Sequence, residues 1–254
     1  MRIKSQLREL VSSSLSIFRN KSKKGHRCLM YHSIGSNVIG DNNGLNSLSE
    51  KYFLQHVEFL KDFKLVSACS ENLNYEQLNL SLTFDDGYED NLKFVAPILV
   101  KNNIPFTVFA TTDFIVNKNN CMDINQLREL SMLDGVTIGS HTKSHCHLTK
   151  LDDKELKKEL EYSKLFIEDV IGNKVESISY PNGDVNLRVA KKAKYLGYKH
   201  GFCSHFDINL NNRNKLLLNR SFIHKNEGSN ILKQKISGDW DWFKHRYTDP
   251  NSIK

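Results

Sequence analysis

The sequence predicts an α/β protein in which a parallel sheet carries helices packed outside it, in the manner of a β/α barrel. Two observations predict it. Short apolar runs alternate with longer stretches of helical periodicity along most of the 254 residues. The polar clusters also share one position: Asp85-Asp86, His141 and Pro181-Asn182-Gly183 each follow the C-terminal end of an expected strand. In a β/α barrel that rim is where sites assemble, so segments far apart in sequence can meet around one pocket. No Pro/Gly/Ser-rich linker, low-complexity run or solenoid repeat interrupts the chain. The expectation is a single domain over 28–254, preceded by a distinct leading segment, 1–27.

The elements follow in order. Arg27–Tyr31 reads as a strand. Ser49 to Phe63 reads as a helix with Phe53, Val57, Leu60 and Phe63 on one face. Leu80–Phe84 is a strand running straight into Asp85-Asp86-Gly87. Tyr88 to Asn102 is a helix that turns Leu92, Val95, Ala96 and Leu99 inward, and Pro105–Ala110 is the next strand. Asp123 to Leu130 is a short helix. Val136–Gly139 is a strand that leads into Ser140-His141. From Asp152 to Val170 the helical pattern is clearest: Asp152 and Glu155 form a capping box, Leu156, Leu160 and Ile167 recur on one face, and Gly172 ends it. Val175–Tyr180 is a strand, Asn186 caps a helix through Leu196, and Tyr198–Cys203 is a further strand. The tail from Leu216 to Phe243 shows no clear pattern.

Charge is concentrated at one end. The formal net charge is +7, and residues 1–27 hold eight basic side chains against Glu9 alone. The remaining residues balance, which argues against a nucleic-acid-binding body. In the leading segment Ile3, Leu7, Leu10, Val11, Ser14 and Phe18 recur at helical spacing, with Lys4 and Arg8 off that stripe. Two readings fit this basic amphipathic helix. One is a helix lying on an anionic membrane surface. The other is a terminal helix packed on the body, followed by a solvated basic loop. Arg8, Glu9 and the serine run break what a secretion signal would need as a continuous apolar region. No apolar stretch of 18 residues exists to span a bilayer. The expected location is therefore cytoplasmic, with peripheral membrane contact. The five cysteines show no C-x-x-C spacing and read as free thiols in a reducing compartment.

The polar clusters point to metal chemistry when taken together. Asp85 and Asp86 place two adjacent carboxylates at a strand end, where burying both as anions is costly unless a positive charge sits with them. Asp-Asp-Gly alone is equally a plain turn. His141 and His145 are four residues apart, a spacing that on a helical turn puts both imidazoles on one side. Two imidazoles from one rim loop and a carboxylate from another make a set that binds a divalent metal and leaves open positions for water and substrate. One aspartate serves as ligand and the other as base.

These residues resemble the motifs of the polysaccharide deacetylase family, carbohydrate esterase family four or the NodB-homology group. Thr83-Phe84-Asp85-Asp86-Gly87 is similar to its first motif and Ser140-His141-Thr142-Lys143-Ser144-His145 to its second. Ile178-Ser179-Tyr180-Pro181-Asn182-Gly183 is similar to the third motif of its shorter members, and Leu29-Met30-Tyr31-His32-Ser33-Ile34 to their opening strand. The resemblance spans about Cys28 to Gly238. It implies a distorted (β/α) barrel of about seven parallel strands. It implies Asp85 as general base and Asp86, His141 and His145 as ligands of a divalent metal, usually zinc. Tyr180, Pro181 and Asn182 would lie at the substrate or oxyanion. The motif's usual arginine, which orients the base, is absent, and Arg220 is the substitute from another strand. The late acid histidine is represented by His224, with Phe222 two residues before it. His32 reads as structural.

The function that follows is metal-dependent removal of an N-acetyl or similar N-acyl group from a sugar, on an intermediate or oligosaccharide of surface-glycan biosynthesis. Two other classes remain: a carbohydrate-binding barrel impaired in catalysis, motivated by the altered third motif, and an amidase on a non-sugar substrate. The Asn-rich loops at 34–48 and 204–215 are expected to form the rim of the substrate cleft.

Overall fold

A computed structural model describes residues 24–252, apart from 39, 42, 118 and 119. The basic amphipathic helix expected within 1–27 lies outside the described residues, except for the last four positions. Those four belong to the body. The first strand, β1, runs Gly25–Tyr31 and is buried throughout. Arg27, counted above with the basic leader, sits inside it, donating to both carboxylate oxygens of Asp241 at 3.0 Å and to Ser221 Oγ at 3.0 Å.

A small parallel pair follows, β2 (Ser33–Ile34) with β3 (Ser47–Leu48). Helix α1 (Glu50–Leu60) starts at Ser49, whose hydroxyl accepts from the Tyr52 N–H, and buries Phe53, Val57 and Leu60. Strand β4 (Leu78–Asp86) carries the two aspartates as its last residues. The expected helix 88–102 is instead a π-turn, Asn91–Val95, leading into α2 (Ala96–Lys101). Pro97 has no N–H to give to the carbonyl four residues back, so regular winding is interrupted there. Next come β5 (Phe106–Ala110), the unexpected α3 (Thr112–Asn117), α4 (Ile124–Ser131) and β6 (Val136–Ser140). Helix α5 (Asp153–Ile171) has the capping box at Asp152 and Glu155 and a left-handed Gly172 at its end. Then follow β7 (Ser177–Ser179), α6 (Leu187–Tyr195) capped by Asn186, β8 (His200–Phe202), β9 (Arg220–Phe222) and α7 (Ser229–Ser237).

Seven of these strands form one sheet in the order β8-β7-β6-β5-β4-β1-β9, with every neighbouring pair parallel. The two edges nearly meet. Phe202 bridges Leu218, Leu218 N–H donates to Gly201 at 2.7 Å, and Cys203 N–H donates to Leu218 at 2.8 Å. The result is a distorted parallel barrel of seven strands. Along β4 the strand period sorts the side chains. Leu80, Leu82 and Phe84 face the helices in the main core, whereas Ser81, Thr83 and Asp85 face the lumen. A separate small cluster of Cys28, Phe109, Phe202 and Leu218 fills that lumen below the rim. No helix among the described residues is long and apolar enough to cross a membrane.

Two histidines inside this frame are kept neutral. His56 uses both ring nitrogens: Nε2 donates to the Glu227 carbonyl at 2.7 Å, and Nδ1 accepts from the Tyr31 hydroxyl at 3.1 Å. His26 Nε2 lies 2.8 Å from Ser81 Oγ. Burial pushes each imidazole down to about 4. The unfolded chain therefore binds more protons between about pH 6.5 and pH 4, and stability falls as pH falls through that window. Each histidine should remove about 2 kcal/mol between pH 6.5 and pH 5. Urea unfolding at pH 7 and pH 5 should show the loss, and His56→Gln should reduce it. An identical pH difference in the variant would rule His56 out as a contributor.

Candidate active site

The site forms where β4, β6, β7 and β9 end. Asp85, the last lumen-facing residue of β4, receives a two-pronged ion pair from Arg220 of β9: Nη1 to Oδ1 and Nη2 to Oδ2, both 2.7 Å. Ser179 of β7 donates to Oδ2 at 3.1 Å. Burial alone would raise the Asp85 pKa, but the guanidinium beside it prevails and holds the carboxyl well below the usual carboxylate range. Arg220 is wholly buried and spends its other donors on Ser179 Oγ, Thr83 Oγ1 and the Cys203 carbonyl.

Asp86 takes a different course. Its φ is +77°, a left-handed conformation followed at once by Gly87 at +85°. This turns the carboxylate to the rim. Burial pushes the carboxyl up to about 6, and the Asp85 charge adds to the push against the opposing effect of His32. Asp86 Oδ1 is buried and makes no hydrogen bond. It lies 3.5 Å from His141 Nε2 and 3.5 Å from His145 Nε2.

His141 Nδ1 is 2.8 Å from the Ser179 carbonyl, which can only accept, so the ring proton is on Nδ1 and the Nε2 lone pair points to Asp86. Burial holds this imidazole neutral, down to about 3. One ligand atom from each of Asp86, His141 and His145 lies within 4.8 Å of the other two. An orphaned buried carboxylate oxygen facing two imidazoles is a donor set that a divalent cation satisfies. Nitrogen and oxygen ligands in this number suit zinc and related ions.

The histidine pair does not come from a helical turn, as the spacing suggested. Thr142 has φ +68° and His145 φ +61°, so the loop reverses through two left-handed residues. Such a conformation costs roughly 1–2 kcal/mol per residue and is unusual for a β-branched threonine. The loop is held from α5. Glu159 accepts from the Lys143 N–H at 3.1 Å, the Ser144 N–H at 2.9 Å and the Ser144 hydroxyl at 2.8 Å. Ser140 Oγ receives the Thr142 N–H, and Phe114 stacks on the His145 ring at 5.7 Å.

The other expected residues divide. Asn182 lines the cavity on a tight turn, with φ +57°. Pro181 is buried beneath it. Tyr180, expected at the substrate, instead points into the core and donates to the Leu216 carbonyl at 3.0 Å, using space that Gly201 leaves open. Arg220, expected as the substitute for the arginine that orients the base, faces Asp85. His224 lines the cavity, its ring tilted at 37° against Phe222 with centroids 4.5 Å apart. His32, read as structural, also lines it. Its Nδ1 is buried without a hydrogen bond, and its charge reaches both aspartates. The available signal was position, since His32 follows the end of β1 as His141 follows the end of β6. The cavity holds about 670 Å³, and both Asn-rich loops contribute, through Asp41 and Asn46 and through Ser204 and His205.

Comparison with known proteins shows the family and the fold that carry this site. The family model for polysaccharide deacetylases matches residues 74–201, half of the chain. The chain is 30% identical over 181 residues to the Bacillus subtilis (strain 168) protein YxkH, covering 68% of this chain and 62% of that one. It is 29% identical over 119 residues to a chitin deacetylase of Arthroderma benhamiae, covering 47% of this chain and 28% of that enzyme. It thus spans under two thirds of either relative. Among solved structures, the Streptococcus pyogenes deacetylase PplD in complex with acetate has a TM-score of 0.73 at 24% identity, covering 84% of this chain and 98% of that one. BA0330 from Bacillus anthracis gives 0.73 at 21% identity, covering 84% and 69%. At these identities the structures speak to the fold.

The Glu159 contacts give a direct test of the loop. Glu159→Ala should weaken Zn2+ binding about 10- to 100-fold, the usual cost of losing an outer partner of metal ligands. Competition with a chromogenic chelator measures this, and Glu159→Gln, which keeps acceptor oxygen, should lose less. Equal affinity in the alanine variant would show that the loop holds itself.

Proposed function

The chain belongs to the polysaccharide deacetylase family, and from that premise we propose that it is a metal-dependent hydrolase that removes an N-acetyl or similar N-acyl group from a sugar. The observation that carries the reading is the pairing of an Arg220-held Asp85 with the Asp86, His141 and His145 ligand set at one cavity floor. A divalent metal, zinc by its donor set, would polarise the amide carbonyl and lower the pKa of water there toward ~7.

The chain's own groups divide the remaining work. Asp85 is the base: it stands ionised and oriented by Arg220 and Ser179, ready to receive a proton from the attacking water. The backbone beside Asn182 is the donor for the developing oxyanion. Protonation of the leaving amine belongs to an imidazole at the rim. His224, the acid expected from the sequence, and His32 follow neighbouring strands two residues beyond the paired Phe222 and Met30. His32 is the better placed, because β1 lies beside β4 with Tyr31 paired to Phe84, so His32 follows at the level of Asp85. His224, against Phe222, would then bind the sugar.

An N-acylated carbohydrate as substrate, and a place in surface-glycan biosynthesis, extend the same proposal. The intact base and its arginine weigh against a binding-only barrel, since a binder has no need to keep a buried ion pair beside a ligand set.

Acetate release from N-acetylated chito-oligosaccharide by the Zn2+-loaded protein tests the reading. Asp85→Asn should lower kcat about 10²- to 10⁴-fold, the range for losing a positioned base. Activity should vanish on chelation and return with metal. A variant as active as the parent would remove Asp85 from the mechanism.

A further inference from the structure

One wall of the cavity comes from the C-terminal segment, well past the residues that match the family model. Two ion pairs fasten that segment. Arg213 grips Asp249 with both Nη atoms at 2.6 and 2.8 Å, and Lys244 meets Asp207 at 3.0 Å. Two short helical turns, Asp241–Arg246 and Pro250–Ser252, and the residues that join them bring Phe243, Tyr247, Thr248 and Pro250 to the cavity, with Tyr247 and Thr248 between the two tied positions. Phe243 is buried in a small apolar cluster of its own with Phe206 and Trp240. Tyr247 rests beside it, ring centroids 6.2 Å apart, yet stays 62% exposed.

An aromatic ring of this size normally buries most of its area. Here a segment tied at both ends holds the ring at the cavity wall, where a ligand can cover it. The reacting centre needs one N-acyl group at the floor. A cavity of about 670 Å³ is within the range that encloses drug-sized ligands, and one sugar ring fills only part of it. A pyranose has an apolar C–H face and a polar rim of hydroxyls. The exposed tyrosine ring matches the first, and Thr248, Asp41 and Asn46 around the same cavity match the second.

We propose that Tyr247, in a segment beyond the residues that match the family model, is a stacking platform for the sugar next to the one being deacylated. This rests on the deacetylase reading above and adds the second subsite to it. The platform is rigid before binding, because Arg213, Asp249, Lys244 and Asp207 fix its ends. Little ordering cost is left to the ligand.

The test is a length series with the Zn2+-loaded full chain: N-acetylglucosamine, its β-1,4-linked dimer and its tetramer. The kcat/KM should rise about tenfold from monomer to dimer, the worth of a good aromatic stack. Tyr247→Ala should bring the dimer-to-monomer ratio toward one, and Tyr247→Phe should preserve it. A ratio unchanged in Tyr247→Ala overturns the proposal, as does a wild-type protein indifferent to length. If the wild type releases no acetate from any of the three, the deacetylase reading fails and the platform is judged by binding alone. Dimer titration would then be followed by the fluorescence of Trp240 and Trp242, which adjoin Phe243. Binding lost in Tyr247→Ala supports the platform. Equal binding, or none by either protein, overturns it.

Discussion

Two carboxylates, consecutive in the chain and both buried at the end of one strand, set the terms for the rest of the structure. Neither can stay ionised in an apolar interior without a partner. Asp85 has Arg220, a full bidentate pair with no exposure on the arginine side. That pair requires β9 to lie beside β1 at the register Cys28 to Arg220, with β1 beside β4. The long return of the chain from β8 to β9, and the near-closure of the barrel through Leu218, place the guanidinium there. Closure of the fold and ionisation of Asp85 are thus one requirement. Breaking a buried pair from one side leaves an uncompensated charge worth about 3–5 kcal/mol, so the site is also part of what holds the barrel together.

Backbone strain gathers at the same rim. Asp86, Thr142, His145 and Asn182 all adopt left-handed conformations, and three of them carry side chains to the cavity. Each costs of order 1–3 kcal/mol and persists only where its surroundings over-determine it. Around Thr142 and His145 those surroundings are the Glu159 carboxylate and the Ser140 hydroxyl. At Asn182 the turn is closed by the Gly183 N–H on Tyr180 and packed against Ser204, whose atoms leave no room for a side chain at Gly183. The rim is rigid before any ligand arrives, the condition under which fixed dipoles and charges act most strongly on a reacting group.

Much of this was legible in the sequence, and the failures have physical causes. Hydrophobic period and caps located most elements, including the capping box at Asp152 and the Asn186 cap. Asp85, Asp86 and His141 could be read as a group because each sits at a strand end, and His145 joined them by its spacing of four from His141. The sign of φ at Thr142 and His145 could not, since spacing of four is compatible with a helical turn and with the strained loop that forms. Hydrophobic period did not mark strand β9, because Arg-Ser-Phe has no apolar alternation and its stability comes from partners remote in the chain. Tyr180 was assigned to the substrate from its neighbours in sequence. A strand alternates its faces, so Ser179 goes to Asp85 and Tyr180 goes to the core.

The charge balance of the floor ties the parts together. Asp85 and Asp86 are anionic when both are ionised, Arg220 is cationic, and burial keeps His141 neutral while lowering the pKa of His145. Burial, with the Asp85 charge behind it, pushes the Asp86 carboxyl up to about 6, while the Arg220 guanidinium holds Asp85 down against its own burial. A divalent cation held by Asp86 and the two imidazoles would outweigh the carboxylate charge and make the floor positive where an amide carbonyl gains negative charge. Arg220 makes Asp85 a weak base, so on the proposed mechanism proton transfer to it would need water that the same site has made acidic. Arg220 would in this way tie Asp85 to the set of Asp86, His141 and His145.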